Sequence, residues 1–333
     1  MMSREPLPES TPDLTPPRAL QDEDLADLFP PSLPVIATLS RREDAREWLA
    51  GLPRLVAGLR DRWSLRLGRP YHGGSCSWVA PVRLHDGASA VLKVCWPHRE
   101  AAGEGEALRL WDGNGAVRVL RDDPQAYALL LERCDPGSPL GAADHLPAEE
   151  RLLIGAALLN QLWCPPPSGT LLEPLGAVTA EWADVVETRM DRLRPGFDPG
   201  LVAHGAALLR TLPATASRTA VLHGDFNPGN VLAARRRPWL TIDAKPMVGD
   251  PAYDPWPLLE QIDDPFRHPD PPRVLSTRFA LVADAVGEDP RRLPAWAVAR
   301  RVEAALWGVA HGYRSGPARV MNEARTLAAL TEV

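Results

Sequence analysis

The chain has 333 residues, 45% of them apolar and 24% charged, with a formal net charge of −6. That length is enough for a sizeable core or two lobes, and the composition is that of a globular protein. The acidic balance speaks against nucleic acid as a partner, because a phosphate backbone calls for a clustered basic surface.

Four cysteines, Cys76, Cys95, Cys134 and Cys164, are scattered with no Cys-x-x-Cys pair. This is the usage of a reduced chain with no zinc site. No apolar run approaches the roughly 18–20 residues that span a bilayer, and the start lacks the basic and apolar regions of a signal peptide. A cytoplasmic monomer without a membrane partner is expected.

Residues 1–24 hold five prolines and six acids against Arg4 and Arg18. Such a segment cannot bury enough apolar surface to offset its ordering entropy, so a flexible acidic tail is expected. The stretch 41–60, "RREDAREWLAGLPRLVAGLR", then reads as helical. Trp48, Leu52, Leu55 and Leu59 share one face, and Pro53 is the point where it would divide in two.

From residue 63 the period becomes two. Trp78, Ala80, Val82 and Leu84 alternate, Asp86-Gly87 makes a hairpin turn, and a second strand sets Ala90, Leu92 and Val94 on one face. Val91, Lys93 and Cys95 fall on the other. A helix is expected over 103–111 and strands over 116–120 and 126–132. From 134 onward the pattern is helical: 151–163, a stretch around 181–193, 200–212, and three or four later segments. Short strands over 219–243 interrupt it. Within them the basic run Arg235-Arg236-Arg237 reads as a solvated hairpin turn. A tail (1–24), a small β-rich lobe (25–133) and a larger helical lobe (134–333) make an α+β, bilobal architecture.

Lys93 sits mid-strand among apolar neighbours. Taken alone, it reads as an exposed lysine on the solvent face of an antiparallel strand; the sharper reading is a cation for phosphate oxygens. The upstream loop "YHGGSCS", with Gly73, Gly74 and Ser75, could bring backbone N–H groups to phosphates, or be only a turn. No Walker-type loop or dinucleotide fingerprint is present.

The informative stretch is "VLHGDFNPGNVL", 221–232. A carboxylate that takes a hydroxyl proton must protrude from a rigid backbone, and Asp225 lies on a Gly/Pro-containing loop between two strands. Mg²⁺ prefers oxygen ligands and keeps few protein ones. Asn230 offers an amide oxygen, and the strand "WLTIDAK" ends in Asp243, thirteen residues on. A hairpin of that length sets Asn230 and Asp243 at the same end of neighbouring strands. The order His-x-Asp-x-x-x-x-Asn, hairpin, strand-terminal Asp is that of kinase-type phosphoryl transfer.

With "HGDFNPGN", "TIDAK", "GDPAYDPWPLL", "EALRLWDGNGAVRVL" and "ALLLERCDPGSPL", the chain resembles the aminoglycoside phosphotransferase family over roughly residues 25–325. More narrowly it resembles the streptomycin 6-kinase and hydroxyurea phosphotransferase branch. The resemblance implies a protein-kinase-like fold, with ATP and Mg²⁺ as cofactors and a small-molecule acceptor. It implies Asp225 as catalytic base and Asn230 and Asp243 as Mg²⁺ ligands. Lys93 would contact the α/β-phosphates and pair with Glu104, with Glu106 as runner-up. The segment 132–134, with Glu132 and Cys134, would be the hinge that meets adenine. His223 would hold the loop, and Asp250 and Asp254 would brace it.

A polycationic acceptor such as streptomycin calls for acids on the helical lobe. Glu181, Asp184, Glu187, Asp263 and Asp264 are the candidates. Hydroxyurea or another small metabolite is the alternative acceptor. A silent kinase-like binding module is the alternative of another class, and the joint presence of Lys93, Asp225, Asn230 and Asp243 argues against it. A protein kinase is disfavoured because no activation segment is recognisable after Asp243.

Overall fold

A computed structural model describes residues 27–331; the expected acidic tail lies outside them. The chain divides into two compact units, residues 1–94 and 95–333.

In the first unit, α1 (Pro34–Leu39) precedes α2 (Arg46–Trp63), followed by β1 (Arg66–Leu67), β2 (Ser77–Arg83) and β3 (Ser89–Cys95), where the division falls. Pro53 does not split the second helix, which runs through it unbroken. Its first turn supplies the N–H groups that need no helical partner, but Pro53 lies beyond that turn and the surrounding packing carries the cost. The buried face is Leu52, Val56, Leu59 and Trp63, rotated from the expected one. The β2 alternation is as the period demands, with Trp78, Ala80 and Val82 buried. The Trp78 indole N–H donates to the Leu28 carbonyl at 2.9 Å.

The second unit opens with α3 (Glu104–Trp111) and the antiparallel pair β4 (Val119–Asp123) and β5 (Ala128–Glu132). The expected strand at 116–120 is shifted toward its C-terminal side, leaving Ala116 in an isolated bridge to Thr241. Then come α4 (Ala148–Leu162), β6 (Glu173–Pro174), α5 (Leu175–Leu193) and α6 (Pro199–Thr211). Four short strands follow: β7 (Ala220–Leu222), β8 (Val231–Ala233), β9 (Trp239–Thr241) and β10 (Met247–Gly249). The chain closes with α7 (Trp256–Gln261), α8 (Pro271–Val286), α9 (Arg292–Ala310) and α10 (Pro317–Thr331). The helical expectations over 151–163, 181–193 and 200–212 fall on α4, α5 and α6.

Helix α9 is buried along most of its length, packed by α5, α6 and α10. Gly205 of α6 makes one crossing possible, since a Cβ there would come within 2.7 Å of Val302. Strand β10 packs on α5 and β9 on α4. Strand β10 lies between β6 and β7, and β8 pairs with β9 in a separate hairpin. Among the described residues no helix is long and apolar enough to cross a membrane.

Candidate active site

Two strand pairings assemble the site. In the antiparallel pair β7–β10, Leu222 stands opposite Met247 and Val221 opposite Val248. Carried outward past the strand ends, that register sets Gly224 opposite Lys245, and the Lys245 N–H donates to the His223 carbonyl at 2.8 Å. In the hairpin β8–β9, Val231 stands opposite Thr241, and the Ile242 N–H donates to the Asn230 carbonyl at 3.0 Å. Asn230 and Ile242, the neighbour of Asp243, are therefore at one end of that hairpin.

The connecting turn is set by its residue types. Gly224 has φ +80°, a region closed to most side chains. A Cβ there would meet the Lys245 carbonyl oxygen, so the close approach of the two segments requires glycine. Asn227 then forms a side-chain turn, its Oδ1 accepting from the Gly229 N–H at 2.9 Å. Its amide donates to Asp225 Oδ1 at 3.2 Å. The Asn230 Nδ2 donates to the Asp225 carbonyl at 3.0 Å.

Beneath the loop lies a buried polar brace. Asp254 is fully buried and accepts from the backbone N–H groups of His223 (2.9 Å) and Gly224 (2.8 Å) and from the Trp163 indole (3.0 Å). Asp250 instead anchors α9, accepting from Arg292 Nε at 2.7 Å and from the Trp296 indole at 2.5 Å. His223 is packed between Trp111, stacked at 6.2 Å, and the edge of Phe226 at 5.4 Å. Burial pushes its pKa below the usual histidine value, outweighing the nearby carboxylates. The neutral ring uses both nitrogens: Nε2–H donates to the Ile242 carbonyl at 3.1 Å, and Nδ1 accepts from the Asp225 N–H at 3.3 Å. It thus ties the Asp225 loop to the segment after β9.

Asp225 itself keeps 27% of its side chain exposed. Lys245 Nζ stands 3.0 Å from its Oδ2 and 3.6 Å from Glu100 Oε2. Burial opposes the lysine's charge, but Asp225 and Glu100 outweigh it and raise its pKa, so the ammonium is firmly charged. Sequence reasoning did not single out Lys245 or Glu100. The one signal was a lysine two residues past the strand-terminal carboxylate.

Asp243 adopts φ +57° at the end of β9, a left-handed conformation uncommon outside glycine. It and Asn230 offer hard oxygen donors. The Asn230 amide nitrogen is committed to Asp225, which leaves its Oδ1 as the end that can turn to a cation, and this donor set suits a magnesium ion. Among the described residues no group of three or more His, Cys, Asp and Glu could hold a metal.

The remaining predicted residues fall as follows. In the first unit, Lys93 is 7% exposed, which overturns the solvent-face reading, while Gly73, Gly74 and Ser75 are exposed in the loop before β2. In the second, Glu104 is buried at the start of α3. Glu106 turns elsewhere, accepting from the Thr170 hydroxyl at 2.6 Å. Glu132 is clamped by Arg236 at 2.7 and 2.9 Å and accepts from the Arg118 N–H at 3.1 Å. Burial works against its charge, yet these partners hold its pKa below the usual value. Arg236 also donates to the Gly113 and Ala116 carbonyls, so the basic run is not merely a solvated turn; its middle residue fastens the hairpin to β5. Burial pushes the Cys134 thiol up to about 12, an inert thiol at neutral pH.

Every acid expected to receive a cationic acceptor is paired with arginine. Asp184 and Glu187 both hold Arg210 at 2.7 Å. Glu181 joins Glu173 on Arg99. Asp263 holds Arg278 at 2.7 Å, and Asp264 holds Arg267 at 3.2 Å.

The fold is shared with kinase-like phosphotransferases of small molecules. A choline kinase from Cryptosporidium parvum superposes with a TM-score of 0.58 at 10% identity, over 83% of this chain and 95% of that one. A spectinomycin phosphotransferase solved with ADP and spectinomycin gives 0.53 at 11%, over 84% and 98%. Residues 62–312 match the family described as aminoglycoside/hydroxyurea antibiotic resistance kinase, and the chain belongs to that family. It is 36% identical over 282 residues to a streptomycin 6-kinase of Streptomyces glaucescens, over 84% of this chain and 91% of that protein. It is 38% identical over 283 residues to a hydroxyurea phosphotransferase of Kitasatospora aureofaciens, over 85% and 80%. The protein is a phosphotransferase with an alcohol-type group as acceptor, and ATP is the donor that its family implies.

Proposed function

We propose that this enzyme inactivates a streptomycin-type aminoglycoside by phosphorylating one of its hydroxyls, with Mg²⁺–ATP as donor. The observation that carries the chemistry is the convergence of Asp225, Asn230 and the β9 end bearing Asp243, through two strand registers and the His223 bridge. The resistance-kinase relatives supply the acceptor class.

Asp225 orients the acceptor hydroxyl and takes its proton as the oxygen attacks the γ-phosphorus. Asn230 Oδ1 and the Asp243 carboxylate would hold the magnesium ion, which would offset part of the triphosphate's charge. Lys93 is assigned to the nucleotide's phosphates on the family pattern, as are Gly73, Gly74 and Ser75. Glu104, buried where Glu106 is engaged with Thr170, is the α3 carboxylate that fits the helix-glutamate role. The backbone of 132–134 is assigned to adenine, since the Glu132 side chain is taken by Arg236. Rate in this chemistry comes from positioning and charge stabilisation, and the braced turn supplies the first.

A second reading has its own support. The acids expected to meet a polycation are each engaged by an arginine, and one relative at 38% identity is a hydroxyurea phosphotransferase. A small neutral acceptor needs no acidic wall. Incubation with radiolabelled ATP, Mg²⁺ and either streptomycin or hydroxyurea decides. Labelled streptomycin is expected; label in hydroxyurea alone selects the second reading, and label in neither ends both.

A further inference from the structure

In the structure Lys245, the last residue of "TIDAK", is a charged side chain lying against the base. Its ammonium is held by two carboxylates, Asp225 at 3.0 Å and Glu100 at 3.6 Å. It is 40% exposed, so it is neither a sealed core pair nor a freely solvated lysine. The backbone that carries it is fixed, because its N–H is bonded to the His223 carbonyl and its own carbonyl packs against Gly224.

A purely structural lysine would be poorly spent here. Asp225 already receives the Asn227 amide on Oδ1, and its backbone is held by Asn230 and His223. The loop is positioned without Lys245. What the lysine adds is one positive charge at the reacting oxygen. A hydroxyl within hydrogen-bond reach of Asp225 Oδ2, about 2.6–3.2 Å, lies within about 6 Å of Nζ. The equatorial oxygens of a phosphoryl group in transit to that hydroxyl then come within reach of a side chain with four rotatable bonds.

We propose that Lys245 is a second catalytic cation: it stands against Asp225 and turns to the transferred phosphoryl group in the transition state. The inference rests on the reading of Asp225 as the base. The acceptor oxygen–phosphorus bond forms while the bond from the γ-phosphorus to the bridging oxygen of ADP breaks. The hydroxyl proton passes to Asp225. Lys245 gives up no proton; its charge offsets that on the three phosphoryl oxygens, and Glu100 keeps the ammonium at hand.

The test uses the full chain with Lys245→Met, Lys245→Gln and Lys245→Arg, and Asp225→Asn as a control. Expected in Lys245→Met and Lys245→Gln is a fall in kcat of about 100-fold or more, the size typical of losing one preorganised transition-state group. The ATP KM and the melting temperature should be nearly kept, and Lys245→Arg should recover at least tenfold. Binding of ADP with aluminium fluoride and acceptor should weaken in step with kcat, while binding of ADP alone does not change. If kcat in Lys245→Met stays within twofold of wild type while Asp225→Asn is inactive, the inference fails and the base assignment stands. A fall in kcat matched by a fall in melting temperature, with no recovery in Lys245→Arg, marks a brace and also overturns it. An active Asp225→Asn overturns the underlying reading.

Discussion

The Asp254 carboxylate accepts the Gly224 N–H at 2.8 Å, across thirty residues of sequence, from a position with no exposed surface. It is the main anchor of the turn that presents Asp225, because the same side chain also takes the N–H of His223 and the Trp163 indole. A buried donor left without an acceptor costs about 1–3 kcal/mol. Asp254→Ala orphans three, and is expected to lower unfolding free energy by at least about 3 kcal/mol in urea denaturation. Asp254→Asn, which keeps one acceptor oxygen, is expected to fall between.

Gly224→Ala is expected to be costly for a different reason. The added methyl would have to occupy the space of the Lys245 carbonyl at φ +80°, and the neighbour is backbone that cannot rotate away. Forced strain of this kind is worth about 2 kcal/mol or more. Thermal unfolding should show the loss, and kcat should fall as the turn shifts.

Asp225 and Asp243 should separate cleanly in assay. Asp225→Asn keeps the shape and removes the proton acceptor, so kcat should drop by about 10²–10⁴-fold with ATP affinity nearly unchanged. Asp243→Ala should abolish the magnesium dependence of nucleotide binding, read by titration calorimetry with and without Mg²⁺. Swapped phenotypes would mean that the two roles are exchanged.

His223 gives the protein a pH dependence. Its folded pKa lies below the unfolded value because burial disfavours the imidazolium. The unfolded chain therefore binds a proton near pH 6.5 that the folded chain refuses. Above that pH the neutral ring's contribution is complete. Below it, stability is lost by up to about 1.4 kcal/mol per pH unit until the folded pKa is reached. Urea denaturation between pH 7.5 and 5.5 should show a steeper decline for wild type than for His223→Gln; equal slopes would contradict a buried neutral ring.

Much of the framework was legible because it is local. The alternation of Trp78, Ala80 and Val82, the Asp86-Gly87 turn, and the 3.6-residue period behind α4 to α6 are statements about neighbours in sequence. Asp225, Asn230 and Asp243 were legible for the same reason, since one loop and one hairpin hold them. The helix around Pro53 was misjudged because tertiary packing overrode a local penalty, and its buried face was decided by what it packs on. Arg236 was misjudged because its partner, Glu132, lies 104 residues away.

By itself, the order of residue types determined that this chain places a carboxylate, an amide and a second carboxylate just beyond the ends of short strands, in the order of kinase-type phosphoryl transfer. Only the tertiary structure decided which charges meet. The β7–β10 register delivers Lys245 to Asp225, and the packing of α5 on α6 sets Asp184 and Glu187 on the one Arg210. Backbone propensity is a property of adjacent residues, whereas the electrostatic state of a site depends on groups brought together through space.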